Sequence, residues 1–343
     1  MKKQFIYLFV FVLTTLYLLL YTSYSAYAQE LSVGVYPPVT KIDALPPVSL
    51  HIPLKVQNFG SEQTDVELSL KAFKASSSED GQVTYLKDPL FPSGNILLFK
   101  KITLSESDKT VSKISLLPKE EKEISVDIPV GKNEVPGDYY FSVIFTSSLT
   151  TSPATDQQSQ STTTQAGIAS HILLSIGPKG PASGKIVQFS SPFFQSEGPV
   201  PFTLRLNNTS KNAIAPSGNI KITNMFGQVV GQVELLPVDI LSGTTRIIPD
   251  RAQITSEGVT NEDTYNKFLS TGPKAIWPEK FLLGFYTANV TLKLTDDGPL
   301  LRGSTFFVAI PIQAIIGLTL AMVLTITILR RVRHRLKNSH LRP

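Results

Sequence analysis

The chain has 343 residues, no cysteine and a formal net charge of +5, from 32 basic and 27 acidic residues. Eight of the basic residues lie in the first three and the last fourteen positions, which contain no Asp or Glu, so the rest carries 24 basic against 27 acidic residues, a net of −3. This balance argues against a nucleic-acid-binding surface, which needs a basic face. The lack of cysteine means that an exported form must be stabilised by its cores alone, which favours a bacterial exterior.

The N-terminus has the three parts of a secretory signal peptide. Residues 2–3 are basic, residues 5–20 are mostly apolar, and residues 26–28 (AYA) place small side chains where a signal peptidase reads. We therefore expect residues 1–28 to be a signal peptide, cleaved before Gln29. An uncleaved signal anchor is the alternative.

The C-terminus has the composition of a membrane anchor. Residues 306–329 are uncharged, and 24 residues are enough to cross a hydrocarbon core of about 30 Å. The following segment, residues 330–343, contains six basic residues and no acidic one, which predicts that this tail is cytoplasmic. The sequence thus predicts a single-pass protein of the cell membrane with an extracellular ectodomain, and the lipid bilayer is its first predicted partner.

The ectodomain alternates between apolar and polar residues with a period of two, as β-strands with one buried face do. No stretch between residues 30 and 300 has a convincing helical period. Turn residues separate the strands, which is typical of an antiparallel sandwich. The fold class predicted is all-β, with two tandem immunoglobulin-like β-sandwiches. The clearest strand segments are residues 50–57, 66–72, 124–130, 139–145 and 168–176.

The two halves of the ectodomain share landmarks. Residues 54–58 (LKVQN) correspond to residues 204–208 (LRLNN), and each segment ends at a turn. Further on, Tyr139 and Tyr286 each follow a glycine-led turn and open a long strand. The matching separations indicate an internal duplication. Each tyrosine is expected to act as a corner residue, with its ring in the core and its hydroxyl bonded to backbone.

These features set the expected domain boundaries. The first sandwich is predicted at 29–177, with a disordered hairpin tip at about 146–165 that is rich in Ser, Thr and Gln. The second is predicted at 183–300, with an insertion at about 252–278. Residues 177–181 (GPKGP) are predicted to be a short, stiff linker.

Catalytic and metal-binding patterns are weak in this sequence. Metal sites need several ligands that converge, whereas His51 and His171 are isolated in the ectodomain. The acidic residues at 120–123 are interpreted as solvated turn charges. We expect no catalytic residue, no metal site and no cofactor, hence a protein that is not an enzyme. The candidate contact residue is Trp277, the single tryptophan, since exposed aromatic rings recognise sugars and proteins well; a core role is the alternative.

Three segments of the first half carry a family resemblance: residues 116–121 (LLPKEE), 124–129 (ISVDIP) and 136–139 (PGDY). With the predicted order of signal peptide, two modules, membrane helix and basic tail, they resemble the WxL-interacting proteins of Gram-positive cell surfaces. The resemblance implies that the first module contacts peptidoglycan and the second recognises other proteins. The second half departs from the family pattern around residues 218–227.

Two functions follow as hypotheses. The first is a non-enzymatic binding or adhesion protein of the cell surface that contacts peptidoglycan or another surface protein; it predicts an exposed aromatic or polar patch. The second is a structural spacer or assembly subunit of a cell-envelope complex; it predicts polar surfaces and a fixed angle between the domains. The fold alone does not separate them.

Overall fold

The computed structural model describes residues 32–87, 96–150, 163–251 and 272–339. Two sandwiches, each built from two facing sheets, enclose two separate cores, one within residues 33–176 and one within residues 182–309. The predicted all-β class is confirmed. The predicted signal peptide and its cleavage site lie outside the described residues. The extent of each domain in the sense of independent folding stays a prediction.

The first sandwich contains eleven of the described strands and one short helix. Its elements are β1 (Val33–Tyr36), β2 (Val39–Ala44), β3 (Val48–Asn58), β4 (Thr64–Ala75), β5 (Val83–Tyr85), α1 (Ile96–Lys101), β6 (Thr103–Glu106), β7 (Lys109–Thr110), β8 (Lys113–Leu116), β9 (Glu121–Val130), β10 (Gly137–Thr150) and β11 (Thr163–Ile176). One sheet has the order β1-β3-β9-β6-β7. The other has the order β2-β11-β10-β4-β5, with β8 also paired to β4.

The second sandwich repeats this plan and is followed by a long helix. Its elements are β12 (Gly184–Ser190), β13 (Phe194–Gln195), β14 (Val200–Asn208), β15 (Ser217–Asn224), β16 (Val229–Glu234), β17 (Thr245–Ile247), β18 (Ala275–Trp277), β19 (Gly284–Lys293), β20 (Leu300–Ala309) and α2 (Ile312–Ser339). One sheet joins β12, β14 and β17, with β18 also on β14. The other has the order β13-β20-β19-β15-β16.

The repeated plan is visible in the strand directions. In each sandwich the last strand pairs in parallel with a short early strand, β11 with β2 and β20 with β13. All other named strand pairs are antiparallel, as in immunoglobulin-like sandwiches. The correspondence agrees with the internal duplication expected from the sequence.

The predicted alternation decides which side chains form the cores. Along β3, Ile52, Leu54 and Val56 are buried, and His51 between two inward positions is exposed. Both predicted tyrosine corners are present. Tyr139 is fully buried and its hydroxyl donates to the Val135 carbonyl (2.8 Å), while the Tyr286 hydroxyl donates to the Leu283 carbonyl (3.2 Å).

The sequence placed the start of the membrane segment too early. Residues 306–309 belong to β20, where Phe307 pairs with Tyr286 and Ala309 with Gly284. The second sandwich therefore runs past the predicted end at residue 300, and α2 begins at Ile312. The boundary was obscured because the last residues of β20 are uncharged and merge with the apolar helix in composition.

Three further features of the structure differ from the expectations. Both ends of the predicted disordered tip at 146–165 belong to the paired strands β10 and β11, since Thr146 pairs with Gly167 and Thr150 with Thr163. Residues 151–162 lie outside the described part of the chain. The end of the predicted insertion at 252–278 forms β18 on β14, and residues 252–271 are not described. Helix α1 was also not expected, because six residues are too few to show a helical period.

Candidate binding site between the two sandwiches

The two sandwiches contact each other through the β4–β5 hairpin. At its tip, Glu79 accepts two hydrogen bonds from Arg205 on β14, from Nε to Oε2 and from Nη2 to Oε1, both at 2.6 Å. This bidentate geometry is the strong form of an arginine–carboxylate pair. The hydrogen bonds from Arg205 hold the pKa of the Glu79 carboxyl below its ordinary value. The backbone amide of Ile247 also donates to the Glu79 carbonyl (2.8 Å), so the tip pairs with the sheet of the second sandwich.

The conformation of the hairpin tip makes this contact close. Glu79 has a φ of 59°, and Gly81 has a φ of 97°. A Cβ on Gly81 would lie 2.1 Å from Nη2 of Arg246. The positive φ favours glycine at position 81, and a Cβ there would displace the end of the Arg246 side chain.

A buried carboxylate forms a second contact. Asp138, at the start of β10, is 4% exposed and accepts four hydrogen bonds. Within its own sandwich the donors are the Ser175 hydroxyl (2.7 Å) and the Tyr140 hydroxyl (2.6 Å). From the second sandwich they are Nδ2 of Asn212 (2.7 Å) and the backbone amide of Ala213 (2.6 Å). The charge is thus satisfied only when both sandwiches are in place.

Apolar packing accompanies these polar contacts. Phe73, Tyr140 and Leu173 of the first sandwich form one buried cluster with Leu241 of the second. The Tyr140 hydroxyl also accepts from the backbone amide of Ser242 (3.3 Å). Burial, and next the nearby Asp138 carboxylate, raise the pKa of Tyr140. The tyrosine therefore stays neutral at physiological pH.

A cavity of about 280 Å³ lies between the sandwiches beside this cluster. Its walls are mostly apolar and include several polar groups, as is common for ligand sites. The apolar wall includes Phe73, Val83, Leu173, Val238 and Leu241; the polar groups include Glu79, His171, Asp239, Thr245 and Arg246.

Besides Glu79, two cavity residues have perturbed pKa values. Burial lowers the pKa of His171, whose ring packs edge-on against Phe73 (5.1 Å between centroids). Burial also lowers the pKa of Arg246, whose Nη1 donates to the Asp239 carbonyl (2.5 Å). The Arg246 Nε is buried and lacks a hydrogen-bond partner among the described residues.

The chemistry of the cavity suits binding. His171 Nδ1 lies 2.7 Å from the Ser142 hydroxyl, the spacing of a nucleophile and its base. Ser142 is fully buried, however, so its oxygen is out of reach of a substrate. A half-buried guanidinium and a neutral imidazole beside an apolar wall could instead hold a small apolar group that carries a hydrogen-bond acceptor.

The structure places the sequence candidates elsewhere. Trp277 is 5% exposed and packs against Tyr286 (5.8 Å) and Phe307 (6.4 Å) in the second core. Its role as a contact residue stays a prediction, and its burial favours the core alternative. His51 is exposed and contacts Asp127 (2.7 Å). Within the described residues, no group of three or more His, Cys, Asp and Glu side chains could hold a metal ion.

Sequence reasoning missed the residues that join the sandwiches. Asp138 stands next to the corner tyrosine and has no sequence feature that separates it from a turn aspartate. Glu79 and Arg205 lie far apart in the chain, as do His171 and Arg246. One weak signal was available, since the turn of residues 79–82 (EDGQ) joins two strands and contains a glycine.

The C-terminal helix was the other predicted contact element. In α2, Ile312–Arg331 is a stretch of 20 residues long and apolar enough to cross a membrane. Its side chains from Ile312 to Leu329 point away from the rest of the protein and are exposed. This agrees with the prediction that the helix contacts the lipid bilayer.

The chain is similar to several solved structures, but only at low sequence identity. No protein-family model and no curated protein matches the chain. Similar solved structures include a chain of the chaperone–tip adhesin complex of CFA/I fimbriae biogenesis (12% identity, 80% of this chain and 98% of that chain, TM-score 0.36). Others are the E. coli chaperone DraB (10%, 80% and 98%, 0.34) and a chain of the Salmonella enterica SafA pilin–SafB chaperone complex (8%, 81% and 98%, 0.35). At such low identities and TM-scores, they carry no functional argument.

Proposed function

We propose that this protein is a non-enzymatic, membrane-anchored binding protein of the bacterial cell surface, whose two sandwiches bind their partner at the cavity between them. The cavity is the observation that carries the proposal. It combines apolar side chains from both sandwiches with a half-buried guanidinium and a neutral imidazole.

Anchoring supports the location in this proposal. The apolar stretch Ile312–Arg331 would span the bilayer, and the basic residues that follow it would remain in the cytoplasm. The sandwiches would then stand on the outer side, as the signal peptide predicted for residues 1–28 would also require.

The partner is proposed to be peptidoglycan or another surface protein. The resemblance of residues 116–139 to the WxL-interacting proteins supports both, since that family uses one module for each. The cavity fits the side chain of a protein partner as well as the peptide part of a wall polymer, because each offers an apolar group next to a carbonyl or carboxylate acceptor.

Filling the cavity tests this proposal. Val83 lies in its wall, and Thr84, the next residue on β5, is exposed and faces away. Full-length protein with Val83→Trp should lose binding, and the Thr84→Trp control should keep it. Binding would be measured by cosedimentation with purified peptidoglycan, and by photo-crosslinking on the cell surface from residue 83.

The possible results separate the partners. Cosedimentation sensitive to Val83→Trp supports the wall polymer. A protein partner is supported if a crosslinker at residue 83 captures a single protein, a crosslinker at residue 84 does not, and the protein does not cosediment with peptidoglycan. Equal binding by both variants would show that the cavity is not the site.

A second function, a structural spacer, is favoured by a different observation. The Asp138 and Glu79 contacts hold the two sandwiches together through buried or bidentate hydrogen bonds. Such a connection suits a unit that keeps a fixed interdomain angle and positions a partner at a set distance from the membrane.

A further inference from the structure

Large apolar side chains are exposed at one end of the second sandwich. Isolated exposed apolar residues are ordinary, but a contiguous group marks an interaction surface. Six such side chains are each between 60% and 77% exposed and are called the phenylalanine patch: Phe193, Phe226, Phe281, Leu283, Phe285 and Phe306.

Strand pairing and a ring contact bring three members of the patch together: Phe193, Phe285 and Phe306. Phe285 pairs with Val308, and the Phe193 carbonyl accepts from the Val308 amide (2.8 Å). The Phe193 and Phe306 rings are in edge-to-face contact, with centroids 5.8 Å apart.

The β15–β16 turn reaches the same end of the sheet. Asn224, the last residue of β15, pairs with Tyr286 near the start of β19. Met225 Sδ lies 3.5 Å from the position of a Cβ on Gly284, and the exposed Phe226 follows it. Gly284 itself pairs with Ala309, the last residue of β20.

The outward face of β19 and β20 changes from apolar to polar away from this end. Side chains on one face of a strand recur every second residue. On β19 the outward series is Phe285, Thr287, Asn289, Thr291 and Lys293. The paired series on β20 is Val308, Phe306, Ser304, Arg302 and Leu300. Apart from Leu300, the apolar residues of the two series thus lie where the chain leaves the sheet for α2.

The connection to α2 keeps the patch near the bilayer. Only Ile310 and Pro311 separate the last residue of β20 from Ile312, a distance of at most about 11 Å even when fully extended. Ile312 is also the first residue of the apolar stretch that would span the hydrocarbon core. The headgroup layer beyond that core is about 5–7 Å thick on each side. The end of the sheet therefore lies at the depth of the headgroups or just above them.

We propose that the phenylalanine patch inserts into the interfacial layer of the same bilayer that α2 spans, so that the second sandwich rests on the lipid surface. Aromatic side chains at this depth bury their apolar rings among the upper acyl chains. The contact would fix the tilt of the ectodomain and direct the first sandwich away from the membrane. This inference rests on the membrane anchor in the proposed function and is independent of the cavity.

Single cysteines allow a direct test, because the native chain has none. The full-length protein would carry a polarity-sensitive fluorophore at Phe226→Cys, at Ser304→Cys as the polar control on the same sheet, or at Ala321→Cys within α2. Each form would be reconstituted into vesicles of phosphatidylethanolamine and phosphatidylglycerol with nitroxide-labelled lipids. We expect quenching at position 226 by shallow nitroxides, at position 321 by deep nitroxides, and several-fold weaker quenching at position 304.

Every other pattern overturns the proposal. Quenching at 321 with 226 as solvent-exposed as 304 would leave the anchor intact and show that the patch stays in water. A blue-shifted fluorophore at 226 without lipid quenching would mean that a second copy of the chain covers the patch. Absence of quenching at 321 would refute the membrane anchor, and this inference with it.

Discussion

Asn58 at the end of β3 and Asn208 at the end of β14 make matching sets of hydrogen bonds in the two sandwiches. Each Nδ2 donates to the carbonyl four residues later, Glu62 (2.7 Å) and Asn212 (2.9 Å) respectively. Each Oδ1 accepts from the backbone amide two residues later. Both asparagines are fully buried. Water therefore cannot take over the hydrogen bonds by which each side chain stabilises its turn.

The asparagines also connect each turn to a distant segment. Asn58 Nδ2 lies 3.3 Å from the Leu116 carbonyl and 3.2 Å from that of Leu117, while Asn208 Nδ2 donates to the Ile240 carbonyl (2.9 Å). This shared geometry is the strongest structural support for a duplicated module.

Replacing either asparagine should destabilise its own sandwich. Asn58→Ala and Asn208→Ala each leave buried carbonyls and an amide unpaired, which we expect to lower the free energy of unfolding by about 2–4 kcal/mol. Urea unfolding of the full-length protein in detergent would measure this. Asn207→Ala is the matched control, because Asn207 is half-buried and donates only to the Thr245 hydroxyl (3.0 Å). A loss as large in the control would contradict the assigned role.

Acid should loosen the contact between the sandwiches. The pKa of Glu79 is lowered in the folded protein by the hydrogen bonds from Arg205. The stabilising effect is therefore fully present above the ordinary pKa of a glutamate and is lost as the pH falls through the lowered pKa. Spin labels at Lys109→Cys and Lys185→Cys, one exposed site on each sandwich, would report the interdomain distance.

The Glu79→Gln variant provides the control for this pH effect. We expect it to show a broadened distance distribution already at neutral pH, with a much weaker response to acid, since the charge that titrates is gone. Native protein and the Glu79→Gln variant with the same distance distribution at neutral pH and the same response to acid would refute the prediction.

Removing the buried Asp138 carboxylate should lower the free energy of unfolding more than removing the contact between Glu79 and Arg205. Asp138→Ala leaves four donors without an acceptor, two in each sandwich, and we expect a loss of about 2–4 kcal/mol in the free energy of unfolding. Limited proteolysis between the sandwiches should accelerate as well. Asp43→Ala is the control, because the Asp43 carboxylate is exposed and pairs with Lys179 on the linker (2.7 Å). Equal proteolysis of the two variants would count against the buried network.

Trp277 can be tested for a core role against a contact role. Trp277→Ala removes a ring that packs on Tyr286 and Phe307, so we expect a loss of about 3–5 kcal/mol in unfolding free energy. Thermal unfolding monitored by circular dichroism would show it. The exposed Phe59→Ala is the comparison, with little expected change. Loss of partner binding at unchanged stability would instead support Trp277 as a contact residue.

Most of the fold could be predicted from local patterns in the sequence. The alternation along residues 50–57 and 139–145 predicted both the strands and the buried faces, because a strand with one wet face leaves a period of two in the sequence. The two corner tyrosines could be predicted for the same local reason. The start of the membrane helix could not, since residues 306–309 are as uncharged as the helix and only their pairing with β19 shows that they are sheet.

The candidate site depends on relations that sequence patterns do not contain. His171, Leu241 and Arg246 come to one cavity from different strands and loops, and each alone is an ordinary residue. The phenylalanine patch likewise collects residues from β19, β20, the β15–β16 turn and the segments just before β13 and β19. These segments are far apart in the sequence, which hides their proximity.

The sequence by itself determined the class of this protein: its strands, its repeated plan and an apolar segment long enough for a bilayer, because these follow from the order of polar and apolar residues along the chain. Only the tertiary structure decided where the last strand ends, that Asp138 and Glu79 join the two sandwiches, and which aromatic rings remain outside the cores. Those outcomes depend on which distant residues meet, and that is set by the packing of whole sheets.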